Sequence, residues 1–257
     1  MPRRISLPVF DAEKPVDLPP LGGKGGLVAL LPALRKISAA MMTESEARSR
    51  ALGKKVSCKP GCAACCHQLV PVTVVEAKAL AAGLAKLPTK QSKVIRARFA
   101  QVLAEMEGAG LLQPPGDRPR TALVSTETDG GVSERWSDVS RRYFELDLAC
   151  PFLVDGRCAV YEERPFVCRE YTVTSPKELC STLSPDVDPL PRPAYPTEAM
   201  AATVDRLEEV HPAILPLPLL LEWIASEGDS LRTDHDLEAA LGTLLREIVW
   251  DREPPPS

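Results

Sequence analysis

The sequence predicts a mainly α protein, a helical bundle with one small β-hairpin. Three observations carry that expectation. Apolar residues recur every three or four positions over several segments, the spacing that lines one face of a helix. Asp155-Gly156 stands between two short apolar runs, and Asp-Gly in that setting signals a tight hairpin. Eight cysteines gather in two blocks, one before the central helices and one around the hairpin. The bundle is therefore expected to be organised around a cysteine-ligated metal centre.

The elements follow in order. Residues 1–25 are rich in Pro and Gly and predict a flexible N-terminal arm. Leu27, Leu30, Leu31, Leu34, Ile37 and Met41 recur at helical spacing, and Gly53 is a plausible stop. After a cysteine loop, Thr73 and Glu76 form a T-x-x-E capping box ahead of an alanine-rich helix. Pro88 and Thr89 punctuate it. A second helix then runs to Gly108, with Val94, Ile95, Phe99, Val102, Leu103 and Met106 as its apolar face. Residues 110–132 lack a period and predict an exposed excursion. Ser133 is a candidate cap for a third helix that turns Trp136, Val139, Tyr143, Phe144 and Leu146 inward.

The hairpin comes next, and Arg164-Pro165 ends it because Pro cannot donate to a ladder. "FVCREY" predicts a short helical turn, and the Pro-rich stretch 181–196 an irregular wrap. Three further helices are expected near 197–209, 217–226 and 234–250. The chain thus divides into the arm (1–25), a cysteine-cluster metal-binding domain (26–180), a helical C-terminal extension packed on it (181–250) and a frayed tail (251–257).

A net charge of −4 gives no reason to expect nucleic acid as a partner. No apolar stretch of signal-peptide length follows the basic start, since Asp11, Glu13 and Asp17 intervene. Pro32, Arg35 and Lys36 break the one long apolar segment, so no membrane span is expected. The default compartment is the cytoplasm. There, clustered thiols serve as metal ligands or redox groups more often than as disulfides.

The first block, C-x3-C-x2-C-C, holds Cys58, Cys62, Cys65 and Cys66. The second holds Cys150, Cys158, Cys168 and Cys180. All eight are candidate metal ligands. Spacings of two to four residues let one tight loop aim two thiolates at one centre, and Pro60-Gly61 suits such a loop. The hairpin can bring Cys150 and Cys158 together. Soft thiolates select zinc or an iron–sulfur cluster and leave that choice open. Neighbours such as Cys65 and Cys66 point apart in most backbone conformations, which suits different metals or different irons. His67 is a ligand, a supporting group or a surface residue. Arg164 and Arg169 either donate to the sulfurs or pair with Glu162 or Glu163. Tyr161, Phe152 and Phe166 are expected as core around the site. His211 and His235 receive no role.

"CKPGCAACCHQLVPVTVVEAKALA" followed by "CPFLVDGRCAVYEERPFVCREY" resembles the YkgJ-type cysteine-cluster family, a zinc- or iron-chelating domain. The shared pieces are C-x3-C-x2-C-C, the lead from Val72 into an E-A helix, C-P-F-L, D-G-x-C-x-V-Y-E and R-P-x-x-C-R. They span about residues 57–172, with 107–132 unmatched and Cys180 outside the shared core. The resemblance implies metal binding, commonly as an iron–sulfur centre. Flagellin lysine methylase shares the cysteine pattern, which implies radical or methyl-transfer chemistry.

C-x3-C-x2-C is also the cluster spacing of radical S-adenosylmethionine enzymes. Those place it after the first strand of a β/α barrel, whereas helices are expected here. No G-x-G-x-x-G, P-loop or G-x-S-x-G is present. The expected function is a metal-binding protein with an iron–sulfur or zinc centre, in a redox or protein-modifying role on an unidentified protein partner or substrate. The alternative is a structural zinc module mediating protein–protein interaction. A third idea is metal storage or delivery.

Overall fold

In the computed structural model, which describes residues 3–112, 120 and 132–250, the N-terminal segment is a hairpin and not the expected flexible arm. β1 (Arg3–Val9) pairs antiparallel with β2 (Ala12–Leu18). Period-two alternation buries Leu7 and Val9 from one strand and Val16 and Leu18 from the other. Pro8 and Pro15 are tolerated because a two-stranded sheet has only edge strands. The turn residue Phe10 adopts φ 56° and is buried beneath the Arg48 guanidinium, which also pairs with Asp11 at 2.5 Å. This tertiary clasp stands in for the missing Asn-Gly signal.

β3 (Lys24–Gly25) leads through a 3-10 turn, Leu27–Leu30, into α1 (Leu31–Ala51). Pro32 sits in the first turn, where its absent N–H costs nothing. Leu30, Leu31, Leu34, Ile37 and Met41 are buried, as their spacing predicts. Gly53 adopts φ 78° just past the helix end.

After the cysteine loop, β4 (Pro71–Thr73) precedes α2 (Val74–Lys86), and the capping box is formed in full. Thr73 Oγ1 accepts from Glu76 N at 3.1 Å, and a Glu76 oxygen accepts from Thr73 N at 3.0 Å. α3 (Thr89–Gly108) buries Ile95, Phe99, Val102, Leu103 and Met106. Val94, expected on that face, is exposed, since it precedes the buried stripe by one position. Most of the expected excursion 110–132 lies outside the described residues, as do the side chain of Ser133 and the tail 251–257. Leu111 and Leu112, at its start, are buried.

α4 (Val132–Glu145) buries Val139 and Tyr143. β5 (Leu153–Val154) and β6 (Arg157–Cys158) form the small hairpin. Asp155 and Gly156 have φ 49° and 71°, the pair of positive values that a type I′ turn requires. α5 (Phe166–Glu170) is the short helical turn. Then come α6 (Pro196–Leu207), β7 (Ile214–Pro216), α7 (Leu220–Glu227), β8 (His235–Asp236) and α8 (Leu237–Glu247).

Two minimal sheets tie the last third of the chain to the rest. β4 pairs with β7, and β3 with β8. One hydrophobic cluster extends from Leu7 to Ile248. His235, given no role from sequence, is buried with Nε2 2.8 Å from Glu208 Oε1 and helps close the β8 corner. No helix of the described residues is long and apolar enough to cross a membrane.

Candidate metal centre

The first cysteine block sits on a run of tight turns. Cys62 N donates to Lys59 O at 2.9 Å, closing a turn with Pro60 and Gly61 at its centre. Gly61 has φ 86°, so Pro followed by a left-handed residue gives the arrangement of a type II turn. A second turn closes from Cys66 N to Ala63 O. This curling aims Cys62, Cys65 and Cys66 into one cavity.

The loop is pinned along its length. Ser57 N donates to Val173 O at 2.9 Å, and Val173 N lies 3.5 Å from the Cys58 sulfur. Cys150 N donates to Cys66 O at 2.7 Å, so the backbones of the two cysteine blocks touch directly. Leu217 N donates to Val70 O at 2.8 Å.

The second block arrives on the hairpin and α5. Leu153 N bonds back to Cys150 O, and Ala159 N to Phe152 O, which folds Cys150 and Cys158 onto the same side. Cys168 follows from α5. That short helix is held by Glu76, whose Oε1 accepts from Phe166 N at 2.8 Å while Oε2 serves Thr73. One buried carboxylate thus caps α2 and fixes the start of the element that carries Cys168.

Six of the eight thiols (Cys62, Cys65, Cys66, Cys150, Cys158 and Cys168) line a cavity of about 470 Å³. Its floor is buried and apolar: Val70, Phe152, Val160, Pro165 and Leu217. Its rim is exposed: Pro60, Gly61, Arg157 and Tyr161. Cys58 and Cys180 lie outside the lining. Cys180 is buried beside Tyr171, within electrostatic reach of Cys65, Cys58 and Cys62.

All eight cysteines are free thiols. Adjacent Cys65 and Cys66 do not point apart as expected. Their thiols lie side by side, because the turn at Ala63 brings both to the cavity. Contact with Cys66, followed by burial, drives the Cys65 pKa far above the ordinary thiol value. Burial pushes Cys150 up to about 12, and it raises Cys168 strongly, with Cys150, Cys65, Cys158 and Glu76 adding to the effect. Burial likewise raises Cys58, Cys158 and Cys180. Crowded, half-buried thiols of this kind repel one another's ionisation, and a bound cation reverses that balance.

The donor set therefore fits a thiophilic metal. Among the described residues, no group of three His, Cys, Asp or Glu side chains is gathered tightly enough to hold one ion. The six thiols line one shared cavity.

The remaining residues sort as follows. His67 Nδ1 lies 2.9 Å from Asp147 Oδ1 but off the line of a hydrogen bond, and His67 is absent from the cavity lining. Phe152 and Phe166 are buried, as expected. Tyr161 is not core: it is 40% exposed and lies under the Arg164 guanidinium, 4.2 Å from the ring centroid. Glu163 pairs with Arg35 of α1. Glu170, raised to about 7 by burial, accepts from Ser38 Oγ at 2.7 Å. Val70, Arg157, Val160 and Leu217 were not singled out from sequence. For Leu217 the chain offers no local signal, since its place depends on a backbone bond to Val70.

Neither a curated protein nor a solved structure matches the chain. A family model does: CxxCxxCC, described as "Putative zinc- or iron-chelating domain", over residues 57–184. The matched stretch begins one residue before Cys58, spans the hairpin and α5, and runs past Cys180. It contains every cysteine of the chain, including the one left outside the sequence resemblance. Residues 57–184 are accordingly a member of the CxxCxxCC family of zinc- or iron-chelating domains.

Proposed function

We propose that this protein carries an iron–sulfur or zinc centre in the cysteine cavity, with more than one metal atom, in a redox or protein-modifying role. The supporting observation is six thiols around one space of about 470 Å³. A structural zinc site needs four ligands closed on one ion. Six thiols exceed that number, and the cavity volume falls in the range of small-ligand pockets.

Each part of the wall has a task. Cys62, Cys65, Cys66, Cys150, Cys158 and Cys168 supply the ligands, with Cys58 and Cys180 in reserve just behind the loop. The apolar floor from Val70, Phe152, Val160 and Leu217 keeps water away on one side and so raises the strength of every charge interaction there. The rim at Gly61, Arg157 and Tyr161 leaves the opposite side open for a substrate or partner protein. Such a centre supplies electron transfer when iron fills it, or Lewis acidity when zinc does.

The test is metal and sulfide analysis of the full chain purified without oxygen. Two or more metal atoms per chain, lost on Cys150→Ser and on Cys62→Ser, are expected. One zinc per chain, with no iron, no sulfide and no redox signal, would instead support the structural zinc module. Full retention of metal in a Cys150→Ser, Cys158→Ser, Cys168→Ser triple variant would remove the second block from the ligand set.

A further inference from the structure

Arg164 differs from the other arginines near the site. Arg35 pairs with Glu163. Arg169 spends its donors on backbone, Nε on Arg164 O at 3.0 Å and a terminal nitrogen on Glu162 O. Neither Arg164 nor Arg169 forms an ion pair with Glu162 or Glu163, the bland arrangement that the sequence left open. Arg164 Nε is buried and has no hydrogen-bond partner among the described residues. Its guanidinium rests on Tyr161 and lines the same cavity as the six thiols.

A buried donor without an acceptor is costly, so its persistence calls for a partner. The position is also deliberate in the physical sense. Arg169 holds the carbonyl of Arg164 itself, and Pro165 fixes the backbone just after it. The charge of Arg164 reaches Cys58 and Cys65 from the first block and Cys158 from the second. Among the described residues no other cation in the cavity wall combines burial, a fixed backbone and reach to both blocks. Arg157, the other arginine of the lining, is on the exposed rim.

Resting on the metal-centre reading above, we infer that Arg164 is a positioning residue whose guanidinium donates to, and balances, the thiolates gathered in the cavity. A metal bound by several thiolates carries excess negative charge, and a guanidinium is a cation suited to a half-buried, sulfur-facing position. It stays charged, it is weakly hydrated, and its planar fork stacks on an aromatic ring. Groups that hydrogen-bond to metal ligands commonly change metal affinity by about 10- to 100-fold.

The experiment uses the full chain, stripped of metal without oxygen, with zinc(II) and cobalt(II) as probes. Wild-type protein is expected to take up both ions, cobalt(II) with thiolate-to-metal absorption. Absence of uptake would sink the metal-centre reading, and this inference with it. Given uptake, Arg164→Gln is expected to weaken zinc(II) affinity by about 10- to 100-fold and to shift the cobalt absorption. Arg164→Lys should regain most of the affinity because it restores the charge. Equal affinity in wild type and Arg164→Gln overturns the inference and leaves the metal-centre reading intact. Lysine performing no better than glutamine also overturns it, since stacking and not charge would then be the role. If Arg164→Gln fails to fold, the Arg164 Nε–H resonance of the wild type decides. On zinc(II) loading it should shift and become protected from exchange; an unshifted, freely exchanging resonance overturns the inference.

Discussion

Glu76 shows how much can depend on one side chain. The T-x-x-E pattern made its capping role legible, and the structure forms both reciprocal bonds. Its other oxygen was not legible, because Phe166 lies 90 positions away along the chain. Burial raises the Glu76 pKa, while the N–H groups of Thr73 and Phe166 work against that rise. Replacing Glu76 by Gln would set an amide N–H against one of the two backbone N–H donors. One buried donor then loses its acceptor, at a cost of about 1–3 kcal/mol. The urea midpoint is expected to fall with the m-value unchanged, and a midpoint equal to wild type would show that the carboxylate is dispensable. The same scale explains what the cysteine pattern left undecided. Spacing identified Cys65 and Cys66 as candidates, but their side-by-side placement follows from the Ala63 turn, which no motif announces.

Among elements, the legible ones carry their own chemistry. Asp155-Gly156 predicts a hairpin because those residues accept positive φ, and both adopt it. Pro60-Gly61 predicts a tight turn for the matching reason. At Gly61 a Cβ would meet nothing within 4 Å, so space is not the constraint; φ 86° is. Gly61→Ala is therefore expected to cost about 1–2 kcal/mol through backbone strain alone. A relaxed variant would also swing Cys62 from the cavity, so reduced zinc(II) retention should accompany the lower melting temperature. Unchanged stability in this variant would refute the turn assignment. The N-terminal hairpin was illegible for the opposite reason. Its alternation is present in Ile5, Leu7 and Val9 and again in Val16 and Leu18, but prolines interrupt both strands and the turn carries Phe10-Asp11. What holds that turn is Arg48 of α1, a contact that only the folded molecule provides.

For the molecule as a whole, the sequence resemblance and the family match stop short of what the cavity needs. The matched stretch, residues 57–184, holds all eight cysteines but not the whole wall. Leu217 closes the floor, and its N–H satisfies Val70 O from a segment beyond the match. Among the described residues β4 pairs with β7 alone, and α5 is braced by Ser38 of α1 through Glu170, while Arg35 of α1 holds Glu163 in the turn before it. Cutting the chain at residues 57 and 184 would therefore strip the pairing from Pro71–Thr73 and expose Val70, Val72, Leu80 and Leu84 to water. Full burial of such side chains is worth about 1.5–3 kcal/mol each, which together exceeds the whole stability of many domains. The isolated 57–184 fragment is expected to lack a cooperative thermal transition and a near-ultraviolet dichroism signal, while the full chain shows both. Zinc(II) can rescue the fragment only in proportion to its binding free energy, so partial ordering at high metal is consistent with this account. A metal-free fragment that melts as sharply as the full chain would show that α1 and the last third are accessories, and that the cysteine cavity builds itself.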